Sequence, residues 1–572
     1  MPRKASGKLQ VKQVPRPQKN GDTYIYEVTT RYNPEKRYNE HVSSRLLGKI
    51  PSGEKEMIPT RPRRSSKKAM APASRMNVGA TDILEWIGKQ SGIDSDLLAS
   101  ADRGTAEKLI SIARYWMSNP DKTIRRIEEW QINHRIPYED GLSEDMCYRL
   151  MKDLGLDISV SQKYFQLRAS HAPSRSSVAV DTTTLCSYSE NLNDVRYGYN
   201  KDGNGLATVK LLTLFSISDH QPIAFYRQPG NIPDVISVLN AIKQLSVLGM
   251  NKPLVVMDGG FFSESNILEF IHARTKFLMR GQLDGKWIFP ELEKVFDDIE
   301  KPSNMCPYDS NIYGVTCRIS HDFEWERKRN WKDSAKGESV TEEHRLYLHF
   351  FLNTDKARVD KAELTRNIID VKTQLEQGVD MPLMSKTEKR IIDKYLATKT
   401  YGKKLTVRMD DDAIIEDSRY YGCFVLVSNE TMDTFEALRE YQLRERTEEG
   451  FRLDKQYNDA NVTRSKTTPS LEGRFFCQFV AYGYEEYFRQ ALNRIKCELA
   501  VPNGDPDHDS SDIFKKEKAL LNWLNKMSIP KLFDWFDAVQ ETTVNTKAGK
   551  TRWQTETVER DKLFLQRLGV IK

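Results

Sequence analysis

Three acidic positions stand out for their surroundings. Asp181 interrupts the otherwise apolar strand VAVDTTTL, and Asp258 ends the apolar run LVVMD just before Gly259-Gly260, where backbone can approach a ligand closely. Burying a carboxylate is costly unless it is paired, hydrogen-bonded or on a metal. Asp258, at a strand-to-turn junction, has an ordinary reading as a turn cap or the partner of an arginine. Asp181 is harder to dismiss, because its strand continues past it. Two such residues on neighbouring strands suggest a shared divalent cation, whose hard ligands are carboxylate oxygens.

The third acid belongs to a stripe. On one helix Tyr441, Arg444, Glu448 and Lys455 follow the spacing Y-x2-R-x3-E-x6-K, and helical geometry gathers them within an arc of about 60°. An anion is thereby flanked by two cations, whereas Glu445 and Glu449 fall off the stripe. A solvated face is the usual meaning of a charged helix; the alignment here favours Glu448 as a working acid. A rival metal reading uses Cys306, Cys317, His321, His344 and His349, whose spacing fits no familiar zinc pattern.

These residues need elements to hold them. SVAVDTTTL (177–185), ATVKLLTLFSI (207–217) and QPIAFYRQ (221–228) read as successive strands, followed by a helix from Pro-Gly-Asn, the strand ending at Asp258, a helix over 263–274 and the strand KFLMRG. The order β-β-β-α-β-α-β predicts a mixed sheet covered by helices, its first three strands an antiparallel meander. Upstream, residues 80–170 show apolar spacing of three and four, with Thr81, Thr105 and Ser143 as N-caps. Residues 1–20 read as unstructured, 23–50 as a β-hairpin, and 59–75 as a linker holding Arg61, Arg63, Arg64, Lys67 and Lys68. Residues 282–430 alternate charged stretches with strand candidates.

The chain has 572 residues and a net charge of +6, but the first 75 carry 18 Lys/Arg against 6 Asp/Glu, or +12. A basic arm on a mildly acidic body suggests a polyanion, nucleic acid above all. No run approaches the ~18 apolar residues of a spanning helix. No secretory signal is visible, and the seven dispersed cysteines argue against a disulfide scaffold. The expectation is a cytoplasmic protein, associated with the nucleoid through DNA and with no membrane partner.

Taken together, VDTTTL, GNIPD (230–234), VVMDGGFFSESNI, YQLRERTEEGFRLDK (441–455) and LEGRFFCQFVAY (471–482) make the sequence resemble a DDE transposase of the bacterial insertion-sequence type with the Tyr-Arg-Glu-Lys signature. The resemblance covers roughly residues 175–490. It departs at Gly259, where the family more often has Arg, and at Arg474, where it often has His. It implies an α/β, ribonuclease-H-like core (171–281 and 431–500) with a β-rich insertion domain (282–430). Before the core come a basic arm with hairpin and linker (1–75) and a helical DNA-binding or dimerisation domain (76–170), and after it a C-terminal helical and hairpin region (501–572).

By the same resemblance Asp181, Asp258 and Glu448 are the catalytic metal ligands for two Mg²⁺ ions, Mn²⁺ substituting, with Asp181 bridging. Arg444 and Lys455 then contact phosphates near the cleaved end, and Tyr441 either hydrogen-bonds a terminal phosphate or packs on the core. From charge alone, the linker cations Arg61, Arg63, Arg64, Lys67 and Lys68 either track DNA phosphates or form only a soluble tether. The implied reaction is hydrolysis at the transposon ends and attack of the freed 3′-OH on target double-stranded DNA, by a homodimer on paired ends. Trp325 and Trp331 could stack an extruded base; packing is the plainer reading. Two other functions compete: a non-catalytic DNA-binding protein derived from a transposase, and a ribonuclease-H-like nuclease without strand joining.

Overall fold

Leu9–Pro17 forms a strand, β1, at the edge of a four-stranded sheet ordered β1-β2-β3-β4, with β2 Thr23–Asn33, β3 Tyr38–Ile50 and β4 Ile58–Pro59. The first twenty residues read as unstructured because LQVKQVPRP carries two prolines. An edge strand tolerates them, since half its backbone groups have no ladder partner, and Pro15 and Pro17 sit opposite Ile25 and Thr23. The hairpin expected over 23–50 is the antiparallel pair β2–β3. The structure, a computed structural model, describes residues 9–33, 38–60, 73–120, 122–173, 177–187, 192, 194–198, 205–250, 253–326, 337–378, 384–401, 404–444, 462–463, 467–500, 512–546 and 549–571.

The chain divides into two units, Met1–Arg75 with Thr542–Trp553, and Met76–Glu541 with Gln554–Lys572. In the first, besides the N-terminal sheet, the hairpin Gln540–Thr546 and Gly549–Gln554 lies beside β5 (Ala73–Asn77) in a three-stranded sheet. The C-terminal hairpin is thus grouped with residues from the opposite end of the sequence.

The second unit begins with six helices: α1 (Gly79–Gln90), α2 (Ile93–Ser100), α3 (Arg103–Ser118), α4 (Ile127–Trp130), α5 (Glu144–Leu156) and α6 (Ser159–His171). Ser143 caps α5 as expected, accepting from the Met146 N–H at 3.2 Å. The cap of α3 is Asp102, which accepts from the Thr105 N–H at 3.0 Å. Thr81 lies inside the first turn of α1 and donates back to the Asn77 and Val78 carbonyls. At both helices the caps fall one turn earlier than the threonines suggest.

The meander follows as β6 (Ser177–Ser187), β7 (Ala207–Ser216) and β8 (Gln221–Pro229), then α7 (Asp234–Val247), β9 (Leu254–Met257), α8 (Glu264–His272) and β10 (Lys276–Arg280). Pairing is antiparallel for β6–β7 and β7–β8, and parallel for β6–β9 and β9–β10, as the β-β-β-α-β-α-β order requires. After α9 (Phe289–Phe296) come β11 (Met305–Cys306), β12 (Asp309–Glu326), β13 (Ser339–Asn353), α10 (Thr354–Glu376), α11 (Lys386–Tyr395), β14 (Leu396–Tyr401), β15 (Lys404–Met409), α12 (Asp411–Asp417) and β16 (Cys423–Ser428). Four of these strands continue the central sheet, whose order is β11-β12-β13-β16-β10-β9-β6-β7-β8. The strand-rich stretch 282–430 therefore extends the sheet of 177–280, while α10–α12 and β14–β15 surround a small core of their own. The fold is mixed α/β, one large sheet with many helices.

A helix over 434–444 (α13), the short strand β17 (Val462–Thr463) and the 33-residue α14 (Thr468–Ala500) complete the framework. α14 packs on α3, α5 and β8, so the helices of 76–170 share one core with the sheet. The crossing of α5 and α14 is made by glycine on both sides. A Cβ on Gly473 would stand 1.7 Å from the Met151 carbonyl oxygen, and one on Gly155 1.8 Å from that of Pro469. A buried polar link joins α6 to the sheet: the Arg168 guanidinium donates to Asp96 on α2 and to Gln221 on β8, each at 3.2 Å. No described helix is long and apolar enough to cross a membrane.

Candidate active site

β6 and β9 run parallel with Ala179 opposite Val256 and Val180 opposite Met257. One residue further brings Asp181 level with Asp258, on backbones about 4.8 Å apart in an ordinary sheet. Asp258 keeps the extended path, with φ −76° and ψ 166°. Side chains alternate across a sheet, and the alternation is visible in the packing. Val178, Val180, Val255 and Met257 enter the core on one face, whereas Ala179 and Val256 enter the core that α13 covers. Asp181 and Asp258, two residues on from Ala179 and Val256, therefore share the α13 face. Along β6 only Asp181 and Thr183 are partly exposed, and both belong to this face.

α13 is fixed there by its own sequence. Asp433 caps it, accepting from the Phe435 and Glu436 N–H groups at 2.9 and 3.3 Å. Ala437, Leu438 and Tyr441 then bury against Ala179, Val256 and Leu278. At the far end of the helix the Tyr441 hydroxyl donates to Asp258 Oδ1 at 3.2 Å. The Arg444 guanidinium lies 3.8 Å from the same oxygen, in ion-pair range but beyond a hydrogen bond. Its Cζ is 5.0 Å from the Tyr441 ring centroid, a cation–π contact. Arg444 and Tyr441 are each 2% exposed.

The ordinary reading of Asp258 is realised as well, since its Oδ1 accepts from the Gly259 N–H at 2.7 Å at the start of the 3-10 turn Gly259–Phe261. Among the described residues every contact of this carboxylate converges on Oδ1, and its side chain is 47% exposed. The two acids offer hard oxygens, Asp258 half exposed just beyond β9 and Asp181 partly exposed on β6. That donor set fits Mg²⁺, which favours a few carboxylates together with waters and phosphate oxygens.

Tyr441 and Arg444 thus both contact Asp258. Glu448, Lys455, Arg61, Arg63, Arg64, Lys67, Lys68 and Trp331 lie outside the described residues. Trp325 is packed: its Nε1–H donates to Glu342 at 3.1 Å and its ring meets His272 edge-on at 5.2 Å.

The five-residue Cys/His set does not assemble. His349 lies within the sheet, hydrogen-bonded to Thr316 and Ser428, and burial pushes its pKa down to about 4. His321 stacks on Trp287. A different trio gathers instead, His272, Glu342 and His344. The sequence offered one local sign of it, the E-x-H pair, which alternation puts on one face of a strand; His272 comes from a separate helix.

No protein-family model and no curated protein matches the chain. Among solved structures, the cryo-EM structure of a piggyBac transposase synaptic complex with hairpin DNA is similar at 8% identity and a TM-score of 0.31, over 78% of this chain and 82% of that one. A likeness of this size carries no argument about fold or function.

Proposed function

We propose that the chain is a DDE-type DNA transposase with a ribonuclease-H-like core, cutting phosphodiester bonds at the ends of its element and joining the freed 3′-OH to target DNA. One observation carries the reading: Asp181 and Asp258 each follow the last register pair of the parallel strands β6 and β9, Val180 opposite Met257, and the first two residues of the Tyr-Arg-Glu-Lys signature meet at Asp258. The motif blocks quoted above and the meander extended by two parallel strands support it.

Asp181, Asp258 and Glu448 would hold the divalent ions. Bound there, Mg²⁺ supplies charge neutralisation on the phosphate, an activated water and a stabilised leaving oxygen. The protein's own groups prepare that site. The Tyr441 hydroxyl and the Gly259 N–H fix the Asp258 carboxylate through Oδ1. Arg444, held against the Tyr441 ring, offsets part of the negative charge of the clustered carboxylates. Lys455, the last signature residue, would contact phosphate near the cut end, and the basic segment around Arg61–Lys68 would bind DNA less specifically.

The test uses the full chain with DNA carrying the ends of its element. Asp181→Asn, Asp258→Asn and Glu448→Gln should each abolish Mg²⁺-dependent cleavage while end binding persists. Substantial nicking by all three variants defeats the assignment. Cleavage without strand joining would instead identify a nuclease on the same fold.

A further inference from the structure

α8 ends at His272, close to the long β12–β13 ribbon, and on β13 the residues Glu342 and His344 are two apart, so both project from the same face. Glu342 Oε2 lies 2.9 Å from His272 Nε2 and 3.1 Å from His344 Nε2, and the three ligand atoms all fall within 4.8 Å of one another. We propose that His272, Glu342 and His344 form a binding site for one divalent transition-metal ion of the zinc class.

The geometry suits such an ion. Tetrahedral bonds of about 2.0 Å put neighbouring ligand atoms about 3.3 Å apart, near the two nitrogen–oxygen distances found here. Imidazole nitrogens favour zinc and its neighbours over Mg²⁺. The ligand carboxylate is also oriented from behind. Trp325 donates its Nε1–H to Glu342 Oε1 at 3.1 Å, which turns Oε2 toward both imidazoles. Such outer contacts hold metal ligands in place and tune them. The Trp325 ring closes one side of His272, at 5.2 Å, and Phe323 stands 6.1 Å from His344. Side-chain exposures of 38% for His272, 30% for Glu342 and 28% for His344 leave an entry path and room for a water ligand. An ion there joins α8, the helix that follows Asp258, to the ribbon. This site is independent of the transposase reading, since it uses none of the carboxylates assigned to cleavage.

Co²⁺ and Zn²⁺ are the probes, added to metal-free full-length protein. We expect one equivalent of Co²⁺ with the visible absorption of a four-coordinate ion, displaced by Zn²⁺. His272→Ala/His344→Ala should abolish that band, and Asp181→Asn/Asp258→Asn should retain it. Trp325→Phe keeps the ring but removes the donor, and should weaken Zn²⁺ binding by about 10- to 100-fold. A band that survives in the double-histidine variant, or wild-type protein that takes up neither ion, overturns the proposal.

Discussion

Two carboxylate sites in the second unit use the same functional group differently. Asp258 is held through one oxygen by a tyrosine hydroxyl and a backbone N–H, with an arginine alongside and a second aspartate level with it across the sheet. Glu342 is held through one oxygen by a tryptophan N–H, and its other oxygen meets two imidazoles. In both, one oxygen is fixed and the other is presented. What differs is the company: oxygen donors beside a permanent cation suit a hard ion that must share ligands with phosphate, whereas nitrogen donors suit a softer ion held for its own sake. A carboxylate's chemistry here is decided by the element packed against it, α13 in one case and α8 with the facing strand β12 in the other.

The sharpest way to break this contrast is to remove both aspartates. Asp181→Asn/Asp258→Asn should lose cleavage by at least about 10³-fold in Mg²⁺, as expected when ions that neutralise the transition state lose their ligands, and should still bind Co²⁺. Gel assays of end cleavage and cobalt absorption on one preparation decide it. Arg444→Ala comes next. Displacing the carboxylate it faces should cost about 10²-fold in turnover, and thermal stability should fall as well, because Arg444 is 2% exposed and its truncation empties buried space.

Tyr441→Phe is milder. It deletes one hydrogen bond to Asp258, worth about 1 kcal/mol, and turnover should fall about tenfold or less with DNA affinity kept. His272→Ala/His344→Ala should leave Mg²⁺-dependent cleavage within about twofold, the additivity expected of sites without shared partners. A larger loss would mean the two sites are coupled.

Glu486 supplies a baseline, a carboxylate shaped mainly by burial, with Arg489 alongside at 2.9 Å. Burial lifts its pKa from 4.5 to about 7 against the opposing pull of Arg489. A raised folded pKa means its contribution to stability is complete below pH 4.5 and is lost as pH rises through about 7. Glu486→Gln should flatten that part of the stability profile, read by denaturant melts across the range.

Much of the site could be read from sequence because its residues contradict their surroundings. An aspartate inside VAVDTTTL and another closing LVVMD stand out in apolar strands, and the meander declares itself by local alternation. Contacts between distant segments were less accessible. Nothing near 282–430 says that β16 will pair with β10 and β13. β1 was hidden by prolines that only an edge position permits. The metal-ligating trio joins residues 70 apart in the chain. The buried posture of Tyr441 and Arg444 depends on how α13 lies on the sheet, and a helical stripe alone does not fix that.

The glycine crossing of α5 and α14 has a consequence for the chain's birth. α5 is complete by Leu156, and the helix that must lie against it starts only at Thr468. At synthesis rates of about 5–20 residues per second, that face of α5 waits roughly 15–60 s for its partner. Tyr441 and Asp258 likewise meet across 183 residues. That face of α5 is therefore exposed on the ribosome until α14 has been made. The carboxylate site likewise acquires its α13 contacts only after Tyr441 has followed Asp258 out.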